Sequence, residues 1–205
     1  MRKRASIPPD YFKRLYEESA DPWSFETSAY EHAKYEATLD AVGSDGGDLL
    51  EVGCSIGVLT QRLAARCRHV LAVDVAERAL AAAQRRCRQE TNIDFKRLDL
   101  PRELPTALFD TVLLSEVGYY WDLADLDKFA AWLARSLTRR GRCILVHWTG
   151  DTDYPLTGDQ VHDRLAEQLT PALTLERSLR RREYRLDVLA CRLPSDRSPK
   201  TLAAG

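Results

Sequence analysis

The chain has 205 residues, 44% hydrophobic and 30% charged, with 30 Lys and Arg set against 31 Asp and Glu. This composition supports one domain with an ordinary core and excludes a largely disordered chain. Balanced charge argues against a nucleic-acid binder that works by bulk electrostatics, and no apolar run is long enough to span a bilayer. The basic start, Met1-Arg2-Lys3-Arg4, leads into Ser6, Pro8, Pro9 and Asp10 instead of an apolar signal segment. The cysteines (54, 67, 87, 143 and 191) are odd in number and form no C-x-x-C. That argues against a disulfide framework or a zinc site, and for reduced thiols in the cytoplasm.

In chain order, Tyr11, Phe12, Leu15 and Tyr16 fall near helical spacing and predict a helix over 10–20, broken by Asp21-Pro22-Trp23. A second helix is expected from Ser28 to about Val42, opened by a Ser-x-x-Glu capping box in which Ser28 caps and Glu31 reaches back. After the turn Gly43-Ser44-Asp45-Gly46-Gly47 the pattern becomes short apolar runs alternating with helices. Strands are predicted at 48–52, 69–74, 93–98, 111–114 and 143–147. Helices are predicted over 57–66, 76–89 and 126–137, the last stopped near Gly141. Such alternation predicts an α/β fold whose mostly parallel sheet is covered on both faces. The last quarter is expected to hold a helix from Thr157 or Gly158 to Glu167, then an antiparallel hairpin of 173–177 and 183–193.

The most informative segment is Glu51-Val52-Gly53-Cys54-Ser55-Ile56-Gly57, between the first strand and the helix after it. Gly53 allows a tight turn, and Gly57 allows close approach of backbone, ligand or helix. A dinucleotide fold would place G-x-G-x-x-G here, and the carboxylate of Glu51 would repel a pyrophosphate while suiting a cationic ligand. No phosphate-binding G-x-x-x-x-G-K-[ST] occurs. Asp74, ending the second strand, is placed to accept both hydroxyl protons of a ribose, or to cap the next helix. Asp99, after the third strand, is placed to read an adenine amino group, or to cap a short helix before Pro101.

That glycine turn, then Asp74, then Asp110-Thr111-Val112-Leu113-Leu114-Ser115-Glu116 resemble the successive motifs of class I S-adenosylmethionine-dependent methyltransferases through about Trp148. More narrowly, Asp21-Pro22-Trp23, Tyr30-Glu31 with Lys34, Glu51-Val52-Gly53-Cys54 and Glu116-x-x-Tyr119-Tyr120 resemble the NodS family of nodulation N-methyltransferases, which methylate the free amine of a deacetylated chitooligosaccharide. The resemblance implies a Rossmann-like, mostly parallel seven-stranded sheet over 48–193; the two helices before it, set between Pro and Gly breaks, suit a lid over 1–47, and 194–205, which lacks an apolar pattern, is expected to be disordered. The resemblance also implies S-adenosyl-L-methionine as cofactor, S-adenosyl-L-homocysteine as its product, and no metal. Glu51, Gly53, Cys54 and Gly57 would line the methionine and ribose portion. Asp74 and Val75 would hold the ribose, and Asp99 and Leu100 would flank the adenine. Ser115 and Glu116 would sit at the amino-acid end. Trp23 and Lys34 would close over the cofactor, Lys34 meeting its carboxylate, with a core anchor as the other reading of Trp23.

The chain departs from NodS after the fifth strand, where 147–162 would help to build the acceptor pocket. His147, at the end of that strand, is the expected general base, or else a histidine hydrogen-bonded at a strand end. Tyr119 is expected to orient the acceptor, with Glu116 as the third catalytic candidate; both tyrosines packing is the other reading of Tyr119 and Tyr120. Asp153 and Tyr154 are candidates for touching a polar acceptor, and His162 is expected on a helix surface. The expected function is N-methylation of a small amine, an amino sugar being favoured, by a monomer or homodimer without nucleic-acid or membrane partners. The alternatives are O-methylation of a sugar or natural-product hydroxyl, and a subunit that binds the cofactor without catalysis. A nucleic-acid methyltransferase is disfavoured because no Asn/Asp-Pro-Pro-Tyr motif follows the fourth strand.

Overall fold

The computed structural model describes residues 2–170 and 172–192; the expected tail over 194–205, and Leu193 before it, lie outside the described residues. Two helices, α1 (Pro9–Glu18) and α2 (Ala29–Val42), precede an alternation of β1 (Asp48–Val52), α3 (Val58–Ala64), β2 (His69–Asp74), α4 (Glu77–Arg86) and β3 (Ile93–Arg97). There follow β4 (Phe109–Ser115), a 3₁₀ helix (Gly118–Tyr120), α5 (Leu123–Ser136), β5 (Leu137–Trp148), α6 (Gly158–Leu169), β6 (Leu173–Arg180) and β7 (Tyr184–Cys191). The sheet has seven strands in the order β3-β2-β1-β4-β5-β7-β6, parallel from β3 to β5, with β7 antiparallel to both of its neighbours. This is the expected mostly parallel sheet with an antiparallel C-terminal hairpin.

Burial on two faces explains why the strands read as unbroken apolar runs. Side chains alternate across the sheet. Leu50, Val52, Val112, Leu114, Cys143 and Leu145 pack on one face with Leu126, Phe129 and Leu133 of α5 and Val161 and Leu165 of α6. Leu49, Val70, Ala72, Leu113, Ile144 and Val146 pack on the other with Leu39 and Val42 of α2 and Leu59 and Leu63 of α3. Burying each such side chain fully contributes roughly 1.5–3 kcal/mol.

Local signals differ from the expectation at two places. Ser28 caps α2 by accepting the Glu31 N–H at 3.3 Å, but the Glu31 carboxylate turns to Lys34 instead of reaching back. The reciprocal capping box stands instead on α6, between Thr157 and Gln160. Gly141 does not stop α5; the chain passes straight from Ser136 into β5, and Gly141 lies within that strand. It sits where the register slips between Phe109 and Thr111 of β4, and a Cβ there would come within 2.8 Å of Leu137 Cβ. The glycine thus serves an irregularity of the strand, where backbone crowds backbone.

Candidate active site

Strand order reverses between β1 and β4: the chain runs outward through β2 and β3 on one side and through β5 on the other. Open α/β sheets bind ligands at the carboxyl ends of the strands flanking such a reversal. A cavity of about 390 Å³ lies there, floored by residues at and just after the ends of β1, β2 and β4 and walled mainly by apolar side chains. Ile7, Phe12, Tyr16, Trp23 and Phe25 form its roof. Segment 6–8 is pinned across the sheet, since Ile7 N–H donates to Tyr120 O at 2.8 Å and Ser6 Oγ donates to Asp125 Oδ2 at 2.6 Å.

At the β1–β2 side the backbone is shaped for close approach. Gly53 has φ +79°, and a Cβ there would collide with the Val117 side chain. Ser55 holds φ +50°, and its hydroxyl is bonded to Tyr16 of the roof. Asp74 accepts one backbone N–H on each oxygen, from Ser55 and Ala76, both at 2.9 Å. Each oxygen keeps a lone pair for a ligand. Burial raises the Asp74 pKa, and these amide hydrogen bonds oppose the rise. Glu51, 3% exposed, lines the cavity and among the described residues accepts only the Thr60 hydroxyl, at 2.6 Å. Desolvation pushes its pKa up to about 8.

At the β4–β5 side Glu116 is the hub. It follows β4 with φ +57°, a sparsely populated conformation for a residue with a side chain. Its Oε1 accepts from Lys34 Nζ at 2.6 Å, and its Oε2 accepts from Tyr119 Oη at 2.7 Å and from the Trp148 N–H at 2.9 Å. Lys34, 1% exposed, also donates to Glu31 at 3.0 Å. Burial opposes its charge, but the Glu116 and Glu31 carboxylates outweigh burial and raise its pKa. Two carboxylates thus face one ammonium, within walls formed by Tyr30, Tyr119, Trp148 and Tyr154.

Of the residues singled out from sequence, Trp23, Lys34, Glu51, Gly53, Cys54, Asp74, Val75, Asp99, Leu100, Ser115, Glu116, Tyr119, Tyr120 and Tyr154 all line this cavity. Gly57 caps α3 beneath it, packed against Ala83. Asp99 is gripped by Arg102, which donates to its two oxygens at 3.2 and 3.1 Å. Asp153 points away and pairs with Lys3 at 3.9 Å.

His147 and His162 require correction. His147 is fully buried and does not line the cavity. Its Nε2 accepts the Gly118 N–H and its Nδ1 meets His162, each at 3.1 Å, so neither nitrogen is free to take a substrate proton. Burial, followed by the charges of His162 and Lys34, lowers its pKa well below the ordinary imidazole value. His162 is also fully buried, not on a helix surface; it bonds Asp187 at 2.8 Å. Sequence reasoning gave no ligand role to Tyr16, Tyr30, Glu31 and Trp148. Only the aromatic density before the glycine turn signals the first two.

A model of the family described as Nodulation protein S (NodS) matches residues 10–137, more than half of the chain. The nodulation protein S of Sinorhizobium fredii is 32% identical over 102 residues, 49% of this chain and 47% of that protein. That of Rhizobium tropici is 29% identical over 140 residues, 66% and 59% of the two chains. The chain spans about half the length of the curated relatives it matches. Among solved structures, a protein from Pseudomonas syringae is 28% identical with TM-score 0.70, over 80% of this chain and 99% of that one. The N-methyltransferase NodS of Bradyrhizobium japonicum, solved with S-adenosyl-L-homocysteine, is 20% identical with TM-score 0.75, over 89% and 97%, and shares the fold. The family match spans α1 through α5, which carry the floor of the cavity, Lys34 and Glu116, and on that match this chain belongs to the NodS family.

Proposed function

We propose that this chain is an S-adenosylmethionine-dependent N-methyltransferase acting on a small-molecule amine, with an amino sugar as the favoured acceptor. The observation that carries the reading is a single cavity with two polar ends: Asp74 at one, and two carboxylates facing one ammonium at the other. The donor set fits the cofactor. Asp74 has one lone pair per oxygen for the two ribose hydroxyls, the Gly53 turn has no side chain to obstruct the methionine portion, and Val75 and Leu100 offer apolar walls to an adenine beside Asp99. Glu51 suits a cation, which would favour its ionised form. The bound cofactor supplies a methyl group already activated on a positive sulfur.

The protein's own work is then to bind, orient and exclude water. The aromatic roof closes the cavity, and alignment of the reacting pair contributes up to roughly 7–11 kcal/mol in favourable cases. An ammonium is drawn to the Glu31–Lys34–Glu116 cluster and its aromatic walls. Tyr119 donates its proton to Glu116, so its oxygen is left to accept an N–H of the acceptor and aim the nitrogen lone pair. Glu116 receives the acceptor's surplus proton along this bond, which leaves a neutral amine to attack. An alcohol would need a strong base, and His147, the candidate for it, is out of reach; the amine reading is therefore favoured. The reaction belongs in the cytoplasm, where the five free thiols stay reduced. We assign residues 9–25 of the roof as the moving lid, because segment 6–8 before them is pinned at Tyr120 and Asp125 and α2 after them packs on the sheet.

Calorimetric titration with S-adenosylmethionine tests the cofactor site. Asp74→Ala should weaken binding more than tenfold while leaving the fold intact, since charge-assisted hydrogen bonds contribute about 1.5–3 kcal/mol each. Unchanged affinity removes Asp74 from the site.

A further inference from the structure

Behind Tyr119 runs a chain of buried polar groups that the methyl-transfer reading does not use. The Gly118 N–H donates to His147 Nε2 at 3.1 Å, which requires that nitrogen to be bare. The His147 proton therefore sits on Nδ1 and is donated to His162 Nε2 at 3.1 Å. By the same logic His162 carries its proton on Nδ1 and donates to Asp187 Oδ2 at 2.8 Å. Asp187 is held in turn by the Ser178 hydroxyl at 2.6 Å and Arg185 Nε at 2.8 Å. Both histidines are 0% exposed and Asp187 2%, and all four imidazole nitrogens are hydrogen-bonded. The six groups come from five elements: the 3₁₀ helix, β5, α6, β7, which carries both Asp187 and Arg185, and β6.

The inner end of this chain lies one residue from the cavity. A Cβ on Gly118 would come within 2.6 Å of Val161 Cγ1 and 3.0 Å of His147 Nε2, so only glycine brings its amide so close to the ring. Tyr119 follows directly, with its ring edge-on to His147 at 5.4 Å and stacked on Tyr154 at 5.4 Å, and its hydroxyl on Glu116. An apolar pair would fill the same space at less desolvation cost, but it would leave the Gly118 N–H without an acceptor.

We propose that His147, His162 and Asp187 are a relay of positioning residues that sets Tyr119 at the acceptor end of the cavity through the Gly118 amide. The relay fixes the tautomer of each ring from its outer end, and the rings fix the 3₁₀ helix on which Tyr119 rides. Its effect on turnover rests on the methyl-transfer reading; its geometry does not.

The first test needs only the wild-type protein. Nitrogen–proton correlation spectra of the imidazoles should show both buried histidines with the proton on Nδ1; an Nε2–H form of either overturns the relay. The second compares His147→Leu, which removes the acceptor for Gly118, with His147→Gln, whose side-chain oxygen replaces Nε2. In His147→Leu, kcat should fall about tenfold to a hundredfold, the size expected for a displacement near 1 Å. S-adenosylmethionine affinity should stay unchanged, and His147→Gln should restore most of the turnover. Wild-type turnover in both variants overturns the proposal. If wild type methylates no amine, the methyl-transfer reading fails instead, and the relay is judged by the Tyr119 ring resonances. These should shift in His147→Leu and return in His147→Gln; resonances that stay in place in the leucine variant refute it.

Discussion

Gly53 joins two requirements at one atom's width: a left-handed backbone at φ +79° and empty space beside Val117. Gly53→Ala should cost about 1–2 kcal/mol from the backbone alone, and it should push Val117 into the ligand space. Adding Val117→Ala removes the collision but not the conformational strain, so the double variant should recover only part of the lost stability and S-adenosylmethionine affinity. Full recovery in thermal melts and titrations would show that the φ requirement is unimportant. Glu51 gives a second residue-scale prediction. Its folded pKa, about 8, lies above the ordinary carboxyl value of 4.5. The unfolded chain therefore releases this proton first, and stability falls as pH rises from about 4.5 through about 8. Glu51→Gln should melt higher than wild type at alkaline pH, by at least ~2–4 °C, the shift that 1 kcal/mol produces in a chain of this size. The gap should close toward pH 4.5. A gap independent of pH would mean that the carboxyl does not titrate abnormally.

At the scale of elements, α1 and the loop after it rest on the core through half-buried aromatic side chains such as Phe12, Trp23 and Phe25, and the side-chain hydrogen bonds from Tyr16 to Ser55 and from Arg86 to Glu26 tie them to the body of the fold. Only Tyr16 of α1 is buried, whereas α2 buries seven residues. Segments with few buried contacts open most readily. Hydrogen exchange in residues 9–25 should therefore slow when S-adenosylmethionine binds, while β1 and β4, already protected, change little. Equal exchange in free and bound protein would contradict the lid. The same scale shows what the sequence makes legible. Periodicity locates the α-helices and the strands, because two-sided burial demands unbroken apolar runs between crossovers, but it misses the 3₁₀ helix at Gly118–Tyr120 and the first half of β5. The ends are less legible: a glycine near 141 reads as a helix stop, although its reason lies in the partner strand, where the register of β4 slips. Ser-x-x-Glu at the start of α2 reads as a capping box, but a buried lysine three residues on competes for the same carboxylate.

At the scale of the whole molecule, local motifs reveal one end of the cavity and hide the other. Glu51, Gly53 and Asp74 lie within the first strand–helix–strand unit, so their convergence follows from topology that the sequence announces. Lys34 and Glu116 stand 82 positions apart, and Asp187 stands 25 beyond His162; no spacing predicts that they meet. His147 reads as a base because strand ends in this fold carry function. Its side chain instead turns into the layer between β5 and α6, where only the packing of α6 reveals a partner. Net charge, −1, says nothing about either end, because the cavity's own balance is set by a few buried groups.

The central claim is that the two ends of this one cavity bring S-adenosylmethionine and an amine together. The most direct measurement is incubation with methyl-labelled S-adenosylmethionine and a panel of amino sugars, simple amines and matched alcohols, read by product mass and by the labelled methyl resonance. The prediction is transfer of the label to nitrogen of an amine, with little transfer to the alcohols and none in a variant carrying both Asp74→Ala and Tyr119→Phe. Label on oxygen alone, or tight cofactor binding with no transfer to any member of the panel, would contradict it.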